Sequence, residues 1–324
     1  MKRKRMYVTG LGGMVGKALT DVVSEEEFRI IGPKGRNDVC QYTGKKVDLR
    51  DDTCTALYHI GSFEPHYVVH LAARVGGIQA NMNKMGDFYY DNMMINMNVL
   101  ESCKLYKVKK MVSLLSTCIY PDKVNYPLTE DQIHSGPPHG SNYGYAYSKR
   151  MLDIQSRAYR EQHGCNFITA VPNNLFGPND NFDLENSHVI PAIIRKMYEA
   201  KLNNEDVTLW GDGSPLREFT YSKDLARILM FLLENYDDPE PINVGNTQEY
   251  SIKEVAEKIA NILGFSGNII WDTSKPMGQH RKPSDNSKLI KLGWKQENYT
   301  DFEKALTETC KWVILNYPNL RGIV

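Results

Sequence analysis

The sequence is short of extremes. Its 39 basic and 39 acidic side chains cancel, so nothing in the overall charge offers a footprint for nucleic acid. No apolar run approaches the ~20 residues of a membrane span. The basic start at Lys2 to Arg5 runs into glycines at 10, 12 and 13, which interrupt the apolar core an export signal would need. The six cysteines, at 40, 54, 103, 118, 165 and 310, lie too far apart for a metal or redox motif. Scattered in this way through 324 residues, they suggest a reducing compartment. Internal repeats and low-complexity segments are missing too. With 41% apolar and 24% charged residues, the expectation is a globular cytoplasmic chain with no metal, membrane or nucleic-acid partner.

What is present is an alternation of strands and helices. Arg5 to Thr9 reads as a buried strand that runs into Gly10-Leu11-Gly12-Gly13-Met14-Val15-Gly16, with a helix from about Met14 to Val23. Strand, glycine turn and helix together mark a dinucleotide site, because the backbone can approach a pyrophosphate and the helix start offers free N–H groups. Phe28 to Gly32 reads as a second strand. An acid after it would read an adenosine 2′-hydroxyl and a base a 2′-phosphate. Pro33-Lys34-Gly35-Arg36 carries no acid before Asp38. That favours NADP, with Lys34 and Arg36 either as phosphate ligands or as solvated loop cations. Lys46 to Asp51 reads as a third strand with Asp48 near the adenine, followed by a helix to about Phe63. Tyr67 to Ala73 reads as a fourth strand, whose terminal alanine pair admits a cofactor, and Gly76-Gly77 as a loop. Asp87 to Tyr106 reads as a helix, apolar on more than one face. Its partner is either another subunit or the rest of the chain.

The stretch from Met111 to Arg150 organises the remainder. An apolar strand opens onto Ser116-Thr117-Cys118-Ile119-Tyr120-Pro121, and a polar loop leads to Tyr145-Ala146-Tyr147-Ser148-Lys149 at a helix start. Residues four apart share a helix face. An ammonium at Lys149 favours the phenolate of Tyr145, lowering a pKa that is ordinarily ~10. The hydroxyl of Ser116 can polarise a carbonyl beside that tyrosine. The same spacing at Tyr42/Lys46 and Tyr106/Lys110 lacks such a neighbour. After the helix to His163 and a strand from Phe167 to Val171, the pattern becomes turn-rich. It leads to His188-Val189-Ile190-Pro191, a helix to about Leu202, and a loop or hairpin from Trp210 to Phe219. Helices near Ser222–Asn235, Ser251–Leu263 and Asp301–Asn316 alternate with strands at Pro241–Val244 and Asn268–Trp271. The fold class expected is α/β: a Rossmann-type doubly wound parallel sheet over residues 1–172, to which 218–245 returns, and a smaller C-terminal α/β substrate domain over 173–324.

The glycine loop, His70-Leu71-Ala72-Ala73, Ser116 and Tyr145/Lys149 resemble the extended short-chain dehydrogenase/reductase family. Within it the similarity narrows to the branch that converts GDP-4-keto-6-deoxymannose by 3,5-epimerisation and 4-reduction. It is carried by Gly13-Met14-Val15-Gly16, Val75-Gly76-Gly77-Ile78, the Cys118 string, Asn186-Ser187-His188-Val189-Ile190-Pro191, Arg217-Glu218-Phe219, Ser274-Lys275-Pro276 and Arg281-Lys282, and it spans essentially the whole chain. The resemblance implies Cys118 and His188 as the base and acid of the inversions. It implies Tyr145 as proton donor to the carbon-4 oxygen, Lys149 as its partner and a nicotinamide-ribose ligand, and Ser116 as the polarising hydroxyl. NADPH would lie along Gly10 to Gly16, Lys34, Arg36, Asp48, Leu49, Ala72, Leu114, Leu115, Lys149, Pro172, Asn173, Asn174, Leu175 and His188. The GDP-sugar would meet Asn174, Val189, Lys196, Trp210, Arg217 and Lys282. A homodimer is implied as well. Gly12 departs from an arginine common in the branch, and Lys196 from another.

Two other readings compete. A 4,6-dehydratase or simple 4-epimerase would share the fold, but a dehydratase is expected to carry an Asp-Glu pair where Thr117-Cys118 stands. A non-catalytic NADP(H)-binding protein leaves the catalytic set without a purpose.

Overall fold

The computed structural model describes residues 3–35, 38–39, 44, 46–51, 55–275 and 280–323, with 55–57 and 78 as backbone only. In chain order the elements are β1 (Lys4–Thr9), α1 (Met14–Val22), β2 (Phe28–Ile31), α2 (Thr55–Phe63), β3 (Tyr67–His70), α3 (Ile78–Asn83), α4 (Met85–Leu105), β4 (Lys110–Leu114), α5 (Tyr143–His163) and β5 (Phe167–Pro172). They continue into β6 (Asn174–Phe176), α6 (Val189–Asn203), β7 (Val207–Trp210), β8 (Leu216–Tyr221), α7 (Ser222–Asn235), β9 (Ile242–Val244), β10 (Glu249–Ser251), α8 (Ile252–Leu263), β11 (Ile269–Asp272), α9 (Ser287–Lys291) and α10 (Phe302–Asn316).

The main sheet runs β2-β1-β3-β4-β5-β9, and every pairing in it is parallel. Apolar residues on alternate sides of its strands feed two separate cores. Met6, Val8, Val69, Val112 and Ile168 pack with α1 and α7 on one face. Tyr7, Val68, Met111, Phe167 and Val171 pack with α2, α4 and α5 on the other. Burial on both faces explains why these strands read as unbroken apolar runs. A third core joins α6, α8 and α10 to the short strands β7 and β8. The α/β doubly wound sheet expected from the sequence is therefore present.

Several local expectations need correction. Lys46 to Asp51 does not form a strand. Lys46 makes an isolated antiparallel bridge to Val39, and Asp48 turns the chain by accepting both the backbone N–H and the guanidinium of Arg50 at 3.0 Å. A side chain that satisfies the backbone locally competes with a sheet ladder. Trp210 to Phe219 is no hairpin, because β7 pairs with β11 and β8 with β10 and β6, in different sheets. The strands β6 and β10, three residues each, fall in segments that read as turns or went unread. A short helix, α3, follows Gly77 in a segment that went unread.

Asn243, fully buried in β9, joins three chain segments. Its Oδ1 accepts the Tyr120 hydroxyl at 2.6 Å, and its Nδ2 donates to the carbonyls of Leu128 at 2.9 Å and Asp285 at 3.1 Å. Replacing it strands the Tyr120 hydroxyl and the Asp285 carbonyl, each worth roughly 1–3 kcal/mol, while the Leu128 carbonyl keeps the Asp285 N–H. Asn243→Ala is expected to lower unfolding stability by at least about 2 kcal/mol in urea titrations monitored by circular dichroism.

Candidate active site

All six strands of the main sheet end on one side, and in such sheets a ligand crevice lies there at the point where chain order reverses, here between β1 and β3. Gly10 follows β1, Ala72 follows β3, Leu115 and Ser116 follow β4, and Pro172 closes β5. A Cβ on Gly16 would lie 2.6 Å from the carbonyl oxygen of Gly10, so the first turn of α1 can close over the glycine loop only without a side chain. Gly13 is the N-cap of α1, no side chain caps it, and the first turn holds no acid. The N–H groups and the positive end of the helix are left facing the crevice, which fits a diphosphate. Leu49 and Leu115 are core side chains, so at these two positions only backbone can face a cofactor. The Asn173 amide is likewise committed, to Glu218, Asn246 and Thr220. Asn174 is exposed, although its amide donates to the Glu218 carbonyl at 2.9 Å. Leu175 packs beside the first core.

A second cushion of polar groups lies under the crevice. Thr9 Oγ1 accepts the N–H groups of Leu71 and Ala72 at 3.0 Å and meets His70 Nδ1 at 2.8 Å. The far nitrogen of His70 meets Asn96 Oδ1 at 3.1 Å, and Asn96 donates to the Ser148 carbonyl at 3.2 Å. Burial, with Lys149 nearby, pushes the His70 pKa down to about 3 and keeps the ring neutral. This chain of contacts fixes α5 against the sheet behind Tyr145 and Lys149. Thr9, His70 and Asn96 were missed as site residues. For Thr9 and His70 the sequence signal was a polar side chain inside an otherwise apolar strand, and His70 also opened a string that carried the resemblance; Asn96 lies in α4.

Ser116, Cys118, Tyr145 and Lys149 come together. Ser116 Oγ accepts the Cys118 N–H at 3.4 Å in a single helical turn that follows β4. Lys149, 2% exposed, donates to the Leu114 carbonyl at 2.7 Å, and its ammonium lies 6.0 Å from the Tyr145 ring centre. Burial outweighs charge for the tyrosine, whose pKa is raised rather than lowered, with Cys118 adding to the rise. That reverses the expectation of a lowered value and leaves a neutral phenol, a proton donor. Burial pushes Lys149 down to about 8. The Cys118 thiol is raised by burial, while the Ser116 hydrogen bond, Lys282 and Lys149 pull it back. His188 heads α6 as its N-cap without a side-chain capping bond. It is open to solvent in a recess whose walls lower its pKa.

Around Trp210, 60% exposed, gather Lys196 at 5.7 Å and Lys275 at 5.9 Å from the ring centre. An aromatic plate flanked by two ammonium groups suits a base and its phosphates. Lys196 also donates to the Thr208 carbonyl at 3.2 Å. Arg217 donates to the carbonyls of Leu216 and His280, and Lys282 to that of Thr117 at 3.0 Å. Val189 opens α6, partly buried against the third core. Lys275 was not placed in the site from the sequence, although it belongs to a string that was noticed. Lys34 lies in a loop packed on Gly12: Leu11 donates to the Pro33 carbonyl at 3.0 Å, and a Cβ on Gly12 would collide with the Lys34 carbonyl. The carboxylate of Asp38 accepts the Lys34 N–H, so an acid does sit beside this loop. Arg36 lies outside the described residues.

Residues 6–245 match the model of the NAD dependent epimerase/dehydratase family. A GDP-L-fucose synthase of Dictyostelium discoideum is 44% identical over 98% of each chain, and a probable GDP-L-fucose synthase of Drosophila melanogaster is 41% identical over 98% of this chain and 99% of its own. The solved structure of a GDP-L-fucose synthetase from Naegleria fowleri bound to NADP superposes with a TM-score of 0.90 at 41% identity, over 99% of this chain and 96% of that one. The chain belongs to the NAD dependent epimerase/dehydratase family, on its GDP-L-fucose synthase branch.

Proposed function

We propose that this chain converts GDP-4-keto-6-deoxy-D-mannose to GDP-L-fucose, inverting carbons 3 and 5 and then reducing the carbon-4 ketone with NADPH. The observation that carries this reading is a thiol, Cys118, beside Ser116 and the Tyr145/Lys149 pair at one strand end. Full-length similarity to named GDP-L-fucose synthases supports it, and the NADP-bound neighbour supports the cofactor. When bound, NADPH supplies the hydride for carbon 4.

The ketone acidifies the protons on its two neighbouring carbons. Cys118 as thiolate takes one of them while the electron pair moves onto the ketone oxygen, and His188 as imidazolium returns a proton to carbon from the opposite face. The thiol then gives up its proton and the imidazole regains one through solvent, which resets the pair for the second centre. In the reduction, Tyr145 donates its phenolic proton to the carbon-4 oxygen, Ser116 polarises that oxygen, and Lys149 offsets the phenolate left behind. The diphosphate is assigned to the glycine loop, with Lys34, and Arg36 with it, at the 2′-phosphate. Trp210, Lys196, Lys275 and Arg217 hold the GDP moiety, and Asn174, Val189 and Lys282 line the sugar side. The nucleotide domain is taken as 1–172 with 218–245 returning to it, and the rest as mainly the substrate domain.

The molecule is read as a cytoplasmic homodimer. No helix among the described residues is long and apolar enough to cross a membrane, and Cys103, Cys118, Cys165 and Cys310 are free thiols. Helices α4 and α5 leave an apolar face of Met85, Tyr89, Tyr143, Tyr147 and Met151, and Met97 is exposed about two turns beyond Tyr89 on α4. Met85 and Tyr89 on α4, and Tyr143, Tyr147 and Met151 on α5, recur every four residues, the spacing of a helix-packing seam, and a second copy would cover them.

Four outcomes test this reading. Incubation with substrate should consume NADPH at its nicotinamide absorbance band and yield a fucose product, and failure of both refutes the assignment. Tyr145→Phe should slow reduction roughly 10²- to 10⁴-fold while deuterium still enters the substrate from heavy water. Lys149→Met should abolish turnover yet raise stability at pH 7 by about 1–3 kcal/mol. The sign follows from a folded pKa below the unfolded one: the buried ammonium costs stability below pH ~8, and the gain fades as pH rises toward ~10.5. Met97→Arg should give monomers by light scattering, and a monomeric wild type at micromolar concentration would remove the dimer.

A further inference from the structure

Residues 280–286 form a strap that crosses from the third core to the rim of the candidate active site, and its attachments are unusually complete. The His280 carbonyl accepts the Leu216 N–H at 2.8 Å. Arg281 pairs with Glu249. The Pro283 carbonyl accepts the Leu128 N–H at 2.9 Å, and the Leu128 carbonyl accepts the Asp285 N–H at 2.9 Å. Ser284 donates both its N–H and its hydroxyl to the buried carboxylate of Glu218, at 2.9 and 2.5 Å. Asn286 donates to the Gly245 carbonyl. Lys282 is the one residue of this strap whose side chain reaches the strand-end turn, where its ammonium lies 3.0 Å from the carbonyl of the Thr117–Cys118 peptide bond.

We infer that Lys282 is a positioning residue for Cys118: its ammonium, delivered by a rigid strap, stabilises the thiolate that serves as base. This deepens the proposed function and takes Cys118 as that base. The thiolate is the reactive form of a cysteine, and a neighbouring cation is the usual way a protein raises its population. Around the sulfur stand Ser116, Tyr145, Lys149, Arg150 and Lys282, and around Lys282 stand Arg217 and Asp122. Burial works against the thiolate, and Lys282 is the foremost charge working for it. Lys149 also contributes, but it is bound to the Leu114 carbonyl and serves the tyrosine. Lys282 has no hydrogen-bonded carboxylate partner among the described residues, so its charge stays available to the sulfur.

The test is the pH dependence of Cys118 alkylation by iodoacetamide in the substrate-free protein, followed by peptide mass spectrometry to separate Cys118 from the other thiols. Lys282→Gln keeps a donor for the Thr117 carbonyl and removes the charge. It should move the alkylation midpoint up by about one pH unit, a roughly tenfold slower reaction at pH 7, while Lys282→Arg stays within about threefold of the parent. NADPH binding, followed by fluorescence, certifies that each variant is folded; should Lys282→Gln fail that check, Lys282→Met replaces it with the same expectation. An unmoved midpoint in the neutral variant overturns the inference, including the case where only the KM for substrate rises, which would make Lys282 a substrate ligand alone. Equal shifts in the Gln and Arg variants overturn it too, because they would assign the effect to shape. Since the assay contains no substrate, its failure is distinct from failure of the proposed reaction.

Discussion

One carboxylate, that of Glu218, ties the halves of the site together. It is 3% exposed, and its two oxygens accept the backbone N–H and hydroxyl of Ser284 and the amide of Asn173 at 3.2 Å. A buried charge survives only when hydrogen bonds replace its water, and then it fixes whatever donates to it. The donors come from the end of β5 and from the strap, and Glu218 itself stands in β8. Thr220, two residues along the same strand, holds the other end of the Asn173 amide at 2.6 Å and accepts the Asn246 N–H at 2.8 Å. The three segments cannot move independently without stranding polar groups away from water.

The chemistry of the crevice follows from a contest between burial and charge. Burial holds Tyr145 protonated, brings Lys149 down to about 8 and raises the Cys118 thiol. A donor phenol is favoured outright, whereas a thiolate base has to be supported by cations. The same protein interior therefore prepares one group and handicaps the other. The unequal need explains why cations from α5 and from the distant strap meet at Cys118, while among the described residues no carboxylate is hydrogen-bonded to either lysine.

The sheet was legible in the sequence because its strands are buried on both faces and separated by segments of helical pattern. The helix Ser222–Asn235 and the turn at Gly10 to Gly16 needed nothing beyond local pattern. The supposed strand at Lys46 to Asp51 failed because Asp48 closes a turn with its own side chain, a competition that composition does not display. The strands β6 and β10 failed because neither is buried throughout or reads as an apolar run, whereas the equally short β9 is buried throughout. In the site, Ser116, Cys118, Tyr145 and Lys149 could be found because they bracket one strand-to-helix unit. His70, Asn96 and Glu218 could not, since each acts through partners from 26 to 66 positions away along the chain, as His70 does with Asn96 and Glu218 with Ser284. Lys149 as a depressant of the tyrosine pKa was a sound argument from charge alone, but it left out the cost of burial.

Gly12 carries a further implication for engineering. Its missing side chain is occupied space, because the carbonyl of Lys34 lies where a Cβ would project, and the Leu11–Pro33 hydrogen bond locks the two loops face to face. Grafting an arginine there to sharpen the choice between dinucleotides would displace the loop that holds Lys34. Cofactor preference in this molecule has to be tuned from the far side of that contact, by residues after β2.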